Sequence, residues 1–150
     1  PNILVMDGEL QHPPKYIKHI LNTFISGNYD IVVGTRNLLK KKDPGLGYIR
    51  YVSSIIIIIA VNLLLGDKTK DPMSGFFLFK KEIYKKNKKK LYGLGYKILA
   101  DLIYSSNTTL KVADQNIFFD KRKSGKSKMN IKVLFQLITF IINKFFKKFS

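Results

Sequence analysis

The sequence contains no cysteine and no tryptophan, and only three of its 27 basic residues are arginine. Without cysteine the chain can form neither a disulfide bond nor a thiolate metal site, and its redox compartment stays undecided. No uninterrupted apolar run reaches the ~20 residues that a membrane-spanning helix needs. The chain nevertheless has 150 residues and is 45% hydrophobic, which suits one folded domain and excludes a disordered chain.

Charge is distributed unevenly along the chain. Residues 1–79 hold nine basic and six acidic side chains, whereas residues 80–150 hold eighteen and four, so the net charges of the two parts are +3 and +14. A strongly basic half predicts an anionic partner such as nucleic acid, an anionic lipid surface or a phosphate. Lysine runs are also usual on solvated faces, so the charge alone does not choose among these partners.

The three arginines stand out against 24 lysines: they are Arg36, Arg50 and Arg122. Arginine presents a rigid planar fork that binds phosphate or carboxylate through two hydrogen bonds, whereas lysine is a mobile point charge. Each arginine is therefore a candidate anion ligand, and a structural ion pair is the alternative.

Hydrophobic spacing predicts an α/β fold. Residues 2–6 and 29–33 read as buried strands, and a helix runs between them from Pro13 to about residue 25. Strand, helix and strand with short connections predict a parallel sheet. Further strands are predicted at 75–79 and 110–119, and further helices at 48–65, 80–86, 96–104 and 130–149. Because the chain opens at Pro1 directly before a strand, we expect it to be a fragment that lacks an upstream part.

The end of the first strand carries the clearest metal-binding pattern. Asp7, Glu9 and Gln11 alternate along an extended chain and would share one face at the carboxyl end of a strand, where open α/β sheets bind ligands. Two carboxylates and an amide oxygen suit a hard cation such as Mg²⁺ or Mn²⁺. An ordinary acidic loop is the alternative, and His12 is predicted to be a packing residue.

Other candidate anion ligands follow the remaining elements. Arg36 comes directly after the second strand, at the same predicted edge. Arg50 and Ser54 are four residues apart on a helix and would share a face, where they could hold one phosphate. Residues 71–76 form a turn that leads into a strand.

Six motifs occur in one order along the chain and together support a family resemblance. They are V-M-D-G-E-L-Q-H-P-P (5–14), D-I-V-V-G-T-R (30–36), R-Y-V-S-S (50–54), D-P-M-S-G-F-F (71–77), G-Y-K-I-L (95–99) and F-x-x-R-x-x-G-x-S-K (119–128). In this order they resemble the polyprenyl-phosphate sugar transferases of glycosyltransferase family 2. Within that family, the D-P-M-S-G-F stretch favours the enzymes that transfer mannose to dolichyl phosphate.

The resemblance implies a GT-A fold, a Rossmann-like α/β architecture, and a role for each matching position. Residues 1–128 would be the C-terminal part of the catalytic domain, and residues 129–150 a basic amphipathic helix or the start of a membrane helix. The implied catalytic residues are Asp7, Glu9 and Arg36, and the implied metal ligands are Asp7, Glu9 and Gln11. The implied acceptor-phosphate ligands are Arg36, Arg50, Ser54 and Arg122, with Asp71 and Ser74 in an acceptor loop and Lys128 in a basic segment.

The same resemblance implies the partners. They are a nucleotide-sugar donor such as GDP-mannose, a dolichyl or polyprenyl phosphate acceptor and the cytoplasmic face of a membrane, with membrane-anchoring subunits left open. Nucleic acid is not expected. One departure concerns the metal motif, because this chain has Asp7-Gly8-Glu9 where the family usually has Asp-Ala-Asp, and the extra methylene of Glu9 alters the reach of its carboxylate. Lys15 also stands where the family often has glutamate.

Three alternatives remain open from the sequence. One is a bacterial-type polyprenyl-phosphate glucosyltransferase. Another is a decayed or truncated copy with only a structural role. The third is a non-catalytic basic module that binds nucleic acid or membranes, in which aromatic side chains would stack on bases. The position of Phe76, Phe77, Phe118 and Phe119 within apolar strand runs argues against stacking, because such residues are expected in the core.

Overall fold

A computed structural model of the chain describes residues 1–8, 12–35, 48–93, 98–106, 108–118 and 131–149. Four strands and five helices lie within these residues. The strands are β1 (Asn2–Met6), β2 (Ile31–Thr35), β3 (Phe76–Lys80) and β4 (Val112–Asn116). The helices are α1 (Lys15–Ser26), α2 (Tyr48–Leu65), α3 (Lys81–Asn87), α4 (Ile98–Ser105) and α5 (Ile131–Phe149). The α/β class and each element agree with the hydrophobic spacing of the sequence.

The sheet is mixed, and the strand order is β1-β3-β2-β4. Strand β3 runs antiparallel to both of its neighbours, β1 and β2, whereas β2 and β4 are parallel. The prediction of a parallel sheet is therefore wrong for β3. Strands β1 and β2 do point the same way, but β3 lies between them and satisfies the backbone hydrogen bonds of both.

Helices cover both faces of this sheet. On one face, Ile20 and Phe24 of α1 pack against Val32 and Phe76. On the other face the residues of α3 and α4 pack against the opposite side chains of β2 and β3, and this cluster comprises Ile31, Val33, Phe77, Phe79, Ile83, Leu99, Leu102 and Ile103. The alternation of side chains along β2 and β3 thus supplies two cores from the same two strands.

Helices α2 and α5 form a separate pair beside α4. Their shared core comprises Ile57, Val61, Ala100, Leu137, Phe140 and Ile141. In the part of the chain that the structure describes, no helix is long and apolar enough to cross a membrane.

Strand β1 is less buried than its sequence predicted. It lies at an edge of the sheet, with Leu4 and Met6 exposed on one face while Ile3 and Val5 are half-buried. An apolar run is typical of a strand with both faces covered, but only the face toward α3 and α4 is covered among the described residues.

Candidate active site

Strands β1, β2 and β4 end at one edge of the sheet, which we call the site edge. Residue Met6 at the end of β1 pairs with Phe76 at the start of β3, and Thr35 at the end of β2 pairs with Asn116 at the end of β4. The chain leaves this edge at the points where the sequence continues to the metal motif, to Arg36 and to the segment that contains Arg122. The sequence predicted that the metal motif and Arg36 follow strands that end at one edge. The strands that precede them, β1 and β2, do end at the same edge.

The carboxylate of Asp7 lies against Gly75 at the site edge. A Cβ atom placed on Gly75 would lie 2.2 Å from Asp7 Oδ2 and 2.5 Å from Asp7 Cγ, closer than nonbonded atoms approach. Only glycine leaves room for the carboxylate at this position. The first metal-motif residue and the D-P-M-S-G-F turn, which lie almost 70 residues apart in the sequence, are thus in direct contact.

Ser74 joins the same turn to β2. Its Oγ donates a hydrogen bond of 2.6 Å to the carbonyl oxygen of Gly34 and accepts one of 3.2 Å from the backbone N–H of Phe76. The side chain is 3% exposed. Both of these hydrogen bonds of the Ser74 hydroxyl are made to backbone groups of the protein. Ser74 therefore fixes the turn against Gly34, which lies two residues before Arg36 in the sequence.

The segment 66–75 contains Asp71 and Ser74, which the resemblance assigns to an acceptor loop, and it takes the name acceptor loop from that prediction. It is fixed at further points. The Thr69 hydroxyl donates to Asp114 Oδ1, and the backbone N–H of Lys70 donates to Asp114 Oδ2 at 2.9 Å. At the start of the loop, the Tyr104 hydroxyl donates to the carbonyl oxygen of Gly66 at 2.8 Å. Burial, with the nearby charge of Asp67, raises the pKa of Tyr104, so this hydroxyl keeps its proton at neutral pH.

Sequence reasoning missed Thr69 and Asp114. One feature of the sequence could have identified Asp114, because it is an acidic residue within the predicted strand 110–119. A carboxylate in a strand needs hydrogen-bond donors when it is partly buried, and the acceptor loop supplies two. Asp71 is buried next to them, and its backbone N–H donates to Thr69 Oγ1 at 3.4 Å.

The predicted packing role of His12 is confirmed. Its ring is 5% exposed and stacks on Phe76, with the ring centroids 5.0 Å apart and the planes inclined by 19°. This contact places His12 beside the core that α1 forms with the sheet.

Several predicted site residues lie outside the described residues or are described only in part. Glu9, Gln11, Arg36, Arg122 and Lys128 lie outside them. Arg50 is described as part of the backbone of α2, and Ser54, one turn later, is half-buried. Within the described ranges no three His, Cys, Asp or Glu side chains cluster closely enough to hold a metal ion. The roles predicted for these residues stay predictions.

The opposite edge of the sheet is held by ionic contacts. Asp30, just before β2, accepts hydrogen bonds from Lys80 Nζ at 2.8 Å and from the backbone N–H of Lys111 at 2.9 Å. Burial alone would raise the pKa of Asp30, but these hydrogen bonds and the charges of the two lysines together lower it below its ordinary value.

Comparison with known proteins tests the resemblance. No protein-family model matches the chain. The chain is 31% identical over 140 residues to a dolichol-phosphate mannosyltransferase of Pyrococcus furiosus, which covers 92% of this chain and 39% of that protein. It is 30% identical over 152 residues to a dolichol-phosphate mannosyltransferase of Mycosarcoma maydis, which covers 99% of this chain and 50% of that protein.

The chain thus spans between two fifths and half of the length of these relatives. The matches extend over nearly all of its residues, and they agree with the expectation that it corresponds to part of a longer enzyme. The resemblance predicted from the six motifs is confirmed, and the chain is similar in sequence to the dolichol-phosphate mannosyltransferases.

Proposed function

We propose that this chain forms part of a GT-A glycosyltransferase that transfers mannose from GDP-mannose to dolichyl or a related polyprenyl phosphate. The observation that carries the proposal is the contact between Asp7 and Gly75, which joins the metal motif to the acceptor loop at the site edge. Two relatives are named dolichol-phosphate mannosyltransferase, and they match the chain over most of its length. Residues 1–128 would contribute to the catalytic domain and residues 129–150 to a helix beside it.

The reaction needs little covalent chemistry from the protein. An oxygen of the acceptor phosphate forms a bond to the anomeric carbon of the sugar while the bond from that carbon to the nucleoside diphosphate breaks, with inversion. The acceptor is already anionic near neutral pH, because the second pKa of a phosphate monoester is about 6. The work of the side chains is therefore positioning and charge stabilisation. Arg36, Arg50, Ser54 and Arg122 would hold the attacking phosphate.

The donor set fits a divalent cation. Asp7 is exposed at the site edge, and the sequence continues from it to Glu9 and Gln11, which would complete two carboxylates and an amide oxygen. These are the ligands that Mg²⁺ and Mn²⁺ prefer. A cation bound there would stabilise the negative charge on the departing nucleoside diphosphate.

The α2–α5 pair supports an interaction with a lipid surface. Exposed apolar side chains recur at helical spacing along each helix and form one stripe on α2 (Val52, Ile56, Ile59 and Leu63) and one on α5 (Phe135, Ile138, Ile142 and Phe146). Apolar stripes bordered by lysines are typical of helices that lie in a membrane interface. We infer that these stripes contact the bilayer that contains the lipid acceptor, on the cytoplasmic side.

The turn after α3 is basic and contacts α5. Lys88, Lys89 and Lys90 are exposed, and the carbonyl oxygen of Lys90 accepts a hydrogen bond of 3.0 Å from Lys144 Nζ in the last turns of α5. The turn therefore lies beside α5, although α3 begins at the edge of the sheet opposite Asp7. Lys144 lies on the side of α5 opposite its exposed stripe, so this contact does not place the lysines of the turn on the surface of that stripe.

Replacing Asp7 tests the proposed function. In the full-length protein, Asp7→Asn removes one charge with little change in shape, and we expect transfer of labelled mannose from GDP-mannose to dolichyl phosphate to fall at least about 100-fold. The matched control is Glu82→Gln, which removes a carboxylate from exposed α3 and should leave the rate unchanged.

Two results would count against the proposal. Equal rates for the Asp7→Asn and unaltered proteins would exclude a role of this carboxylate in the reaction. Transfer of glucose from UDP-glucose, without transfer from GDP-mannose, would favour the glucosyltransferase alternative.

A further inference from the structure

Helix α5 carries a lysine where its pattern requires an apolar residue. The buried side of the helix is formed by Leu137, Phe140 and Ile141, and position 144 follows them at helical spacing on the same face. Lys144 occupies that position and is only 4% exposed. A buried ammonium group needs an opposite charge and a complete set of hydrogen-bond acceptors.

The surroundings of Lys144 meet both needs. Its Nζ lies 2.9 Å from Asp101 Oδ1, and it also donates to the Ser105 hydroxyl and to the carbonyl oxygen of Lys90. These three contacts match the three N–H bonds of the ammonium group. The pair is buried on both sides, with the Lys144 and Asp101 side chains 3% and 10% exposed.

Asp101 is satisfied as well. Its two carboxylate oxygens accept backbone N–H groups of Tyr92 and Gly93, each at 2.9 Å, and Oδ1 also accepts the Ser105 hydroxyl at 3.0 Å. The carboxylate therefore connects α4, the turn after α3 and α5. Because all of these hydrogen bonds are directional, the Asp101–Lys144 pair forms in one arrangement of the helices, whereas an apolar contact can form in many.

The apolar packing of α5 on α2 does not select one register by itself. Residues 55–59 of α2 are five consecutive isoleucines, so a shift or rotation of one helix against the other replaces one isoleucine contact by another. Buried polar contacts are the established means by which packed helices fix their register, often without adding stability over an apolar pair. The Asp101–Lys144 pair is a directional contact that joins α5 to α4.

We infer that the Asp101–Lys144 ion pair fixes the axial and rotational register of α5 and is thereby a positioning element for the lipid acceptor. The inference rests on the proposed function. Helix α5 begins at Ile131, three residues after Lys128 and nine after Arg122, so its register fixes where this segment rejoins the domain.

The test compares two double variants in the full-length protein. Asp101→Asn with Lys144→Met removes both charges, which avoids the unpaired buried charge that would unfold a single variant. Asp30→Asn with Lys80→Met removes a pair of similar length, 2.8 Å, at the sheet edge opposite the site. The two variants have the same change in composition but remove pairs in different places, since the Lys80 and Asp30 side chains are 33% and 27% exposed whereas Lys144 and Asp101 are buried.

We expect the Asp101/Lys144 variant to raise the KM for long-chain dolichyl phosphate about tenfold, with the KM for GDP-mannose unchanged. With a short, water-soluble isoprenyl phosphate, kcat and KM should stay within about twofold of the unaltered protein, because that acceptor does not need the helix surface. The Asp30/Lys80 variant should change neither acceptor. Equal losses for the long and short acceptors would indicate a merely structural role and would overturn the inference.

A second readout is independent of activity. Spin labels at Val52 and Phe135, both on exposed helix faces, report the distance between α2 and α5. We expect a narrow distance distribution in the unaltered protein and a broader or displaced one in the Asp101/Lys144 variant. An unchanged distribution would overturn the inference. If the unaltered protein transferred no mannose, the proposed function would fail, while the distances would still decide whether the ion pair fixes the register.

Discussion

Asp7 and Asp30 occupy opposite ends of the same sheet and have different surroundings. Asp30, before β2, receives hydrogen bonds from Lys80 and from the backbone of Lys111. Asp7, after β1, is exposed and receives no hydrogen bond from any residue that the structure describes, although its carboxylate lies against Gly75. The Asp30 carboxylate joins strands through these hydrogen bonds. The Asp7 carboxylate lies at the end of β1 in contact with Gly75.

The difference is the one expected between a structural carboxylate and the metal ligand that we propose at Asp7. A carboxylate that already accepts hydrogen bonds from two partners has fewer lone pairs left for a ligand. A carboxylate held next to a glycine keeps its oxygen lone pairs for a cation or for solvent. Asp7 therefore lies where β1, β2 and β4 end, and no described residue donates a hydrogen bond to its carboxylate.

The largest effect that would test this comparison is expected at Gly75. In Gly75→Ala the new methyl group would occupy the space of the Asp7 carboxylate and displace it. Because a displacement of about 1 Å can cost about 100-fold in rate, we expect kcat/KM for mannosyl transfer to fall by about that factor. Purified protein should keep its far-ultraviolet circular dichroism, since alanine is compatible with the backbone at this position.

Gly8→Ala is the matched control. A Cβ atom at Gly8 meets nothing within 4 Å, and this variant restores the Asp-Ala pattern usual in the family. It should retain full activity. Equal activity of the Gly75→Ala and Gly8→Ala proteins would show that the position of the Asp7 carboxylate does not matter for the reaction.

A smaller effect is expected from Thr69, which connects the acceptor loop to β4. Thr69→Val keeps the shape of this buried side chain and removes the hydroxyl that donates to Asp114. Loss of this hydrogen bond should lower the free energy of unfolding by about 1–3 kcal/mol and loosen the acceptor loop, which reduces kcat/KM roughly tenfold. Steady-state kinetics and urea denaturation measure the two effects.

Thr69→Ser restores the hydroxyl and should recover most of the activity. Thr108→Val changes an exposed threonine in the same way and serves as the control. Full activity of Thr69→Val would mean that the loop keeps its place without this contact.

The smallest effect is expected at Asp30 and depends on pH. Because the pKa of Asp30 is lower in the folded protein than in the unfolded chain, its contribution to stability is present above about pH 4 and is lost as the pH falls through the folded pKa. Asp30→Asn should reduce the free energy of unfolding by less than about 1 kcal/mol at pH 7 and by less still at pH 3. Urea denaturation at the two pH values measures the difference.

The buried Asp101 contributes with the same sign, since burial raises its pKa but the hydrogen bonds from Lys144, Tyr92 and Gly93 lower it further. Some acid sensitivity should therefore persist in the Asp30→Asn protein. A destabilisation by Asp30→Asn that is larger at pH 3 than at pH 7 would contradict a lowered pKa of Asp30 in the folded protein.

Local sequence patterns predicted the elements well. The limits of β1 and α2 agree with the prediction, and those of the other elements agree to within about three residues. Helix α1 begins after Pro14, close to its predicted start at Pro13, and is followed by Asn28 at a left-handed φ of 45°. Such limits depend on interactions between residues close in the chain, which is why one sequence suffices to find them.

The site was predictable only in part. Asp7 was identified because it follows a strand, but its contact with Gly75 depends on the pairing of β1 with β3. The same holds for Asp114, whose partners Thr69 and Lys70 come from a loop more than 40 residues away. Contacts of this kind require the strand order, which hydrophobic spacing does not contain.

The sequence by itself determined where strands and helices form, that the second half is strongly basic, and that three arginines and one acidic motif are the candidate ligands. Only the tertiary structure decided that β3 lies between β1 and β2. It also decided that Asp7 contacts the acceptor loop, that the charge of Asp30 is paired with Lys80, and that Lys144 is buried against Asp101. The physical reason is that periodicity and turn residues act over a few positions, whereas the partner of a charge or a strand is chosen by the free energy of the whole packed assembly.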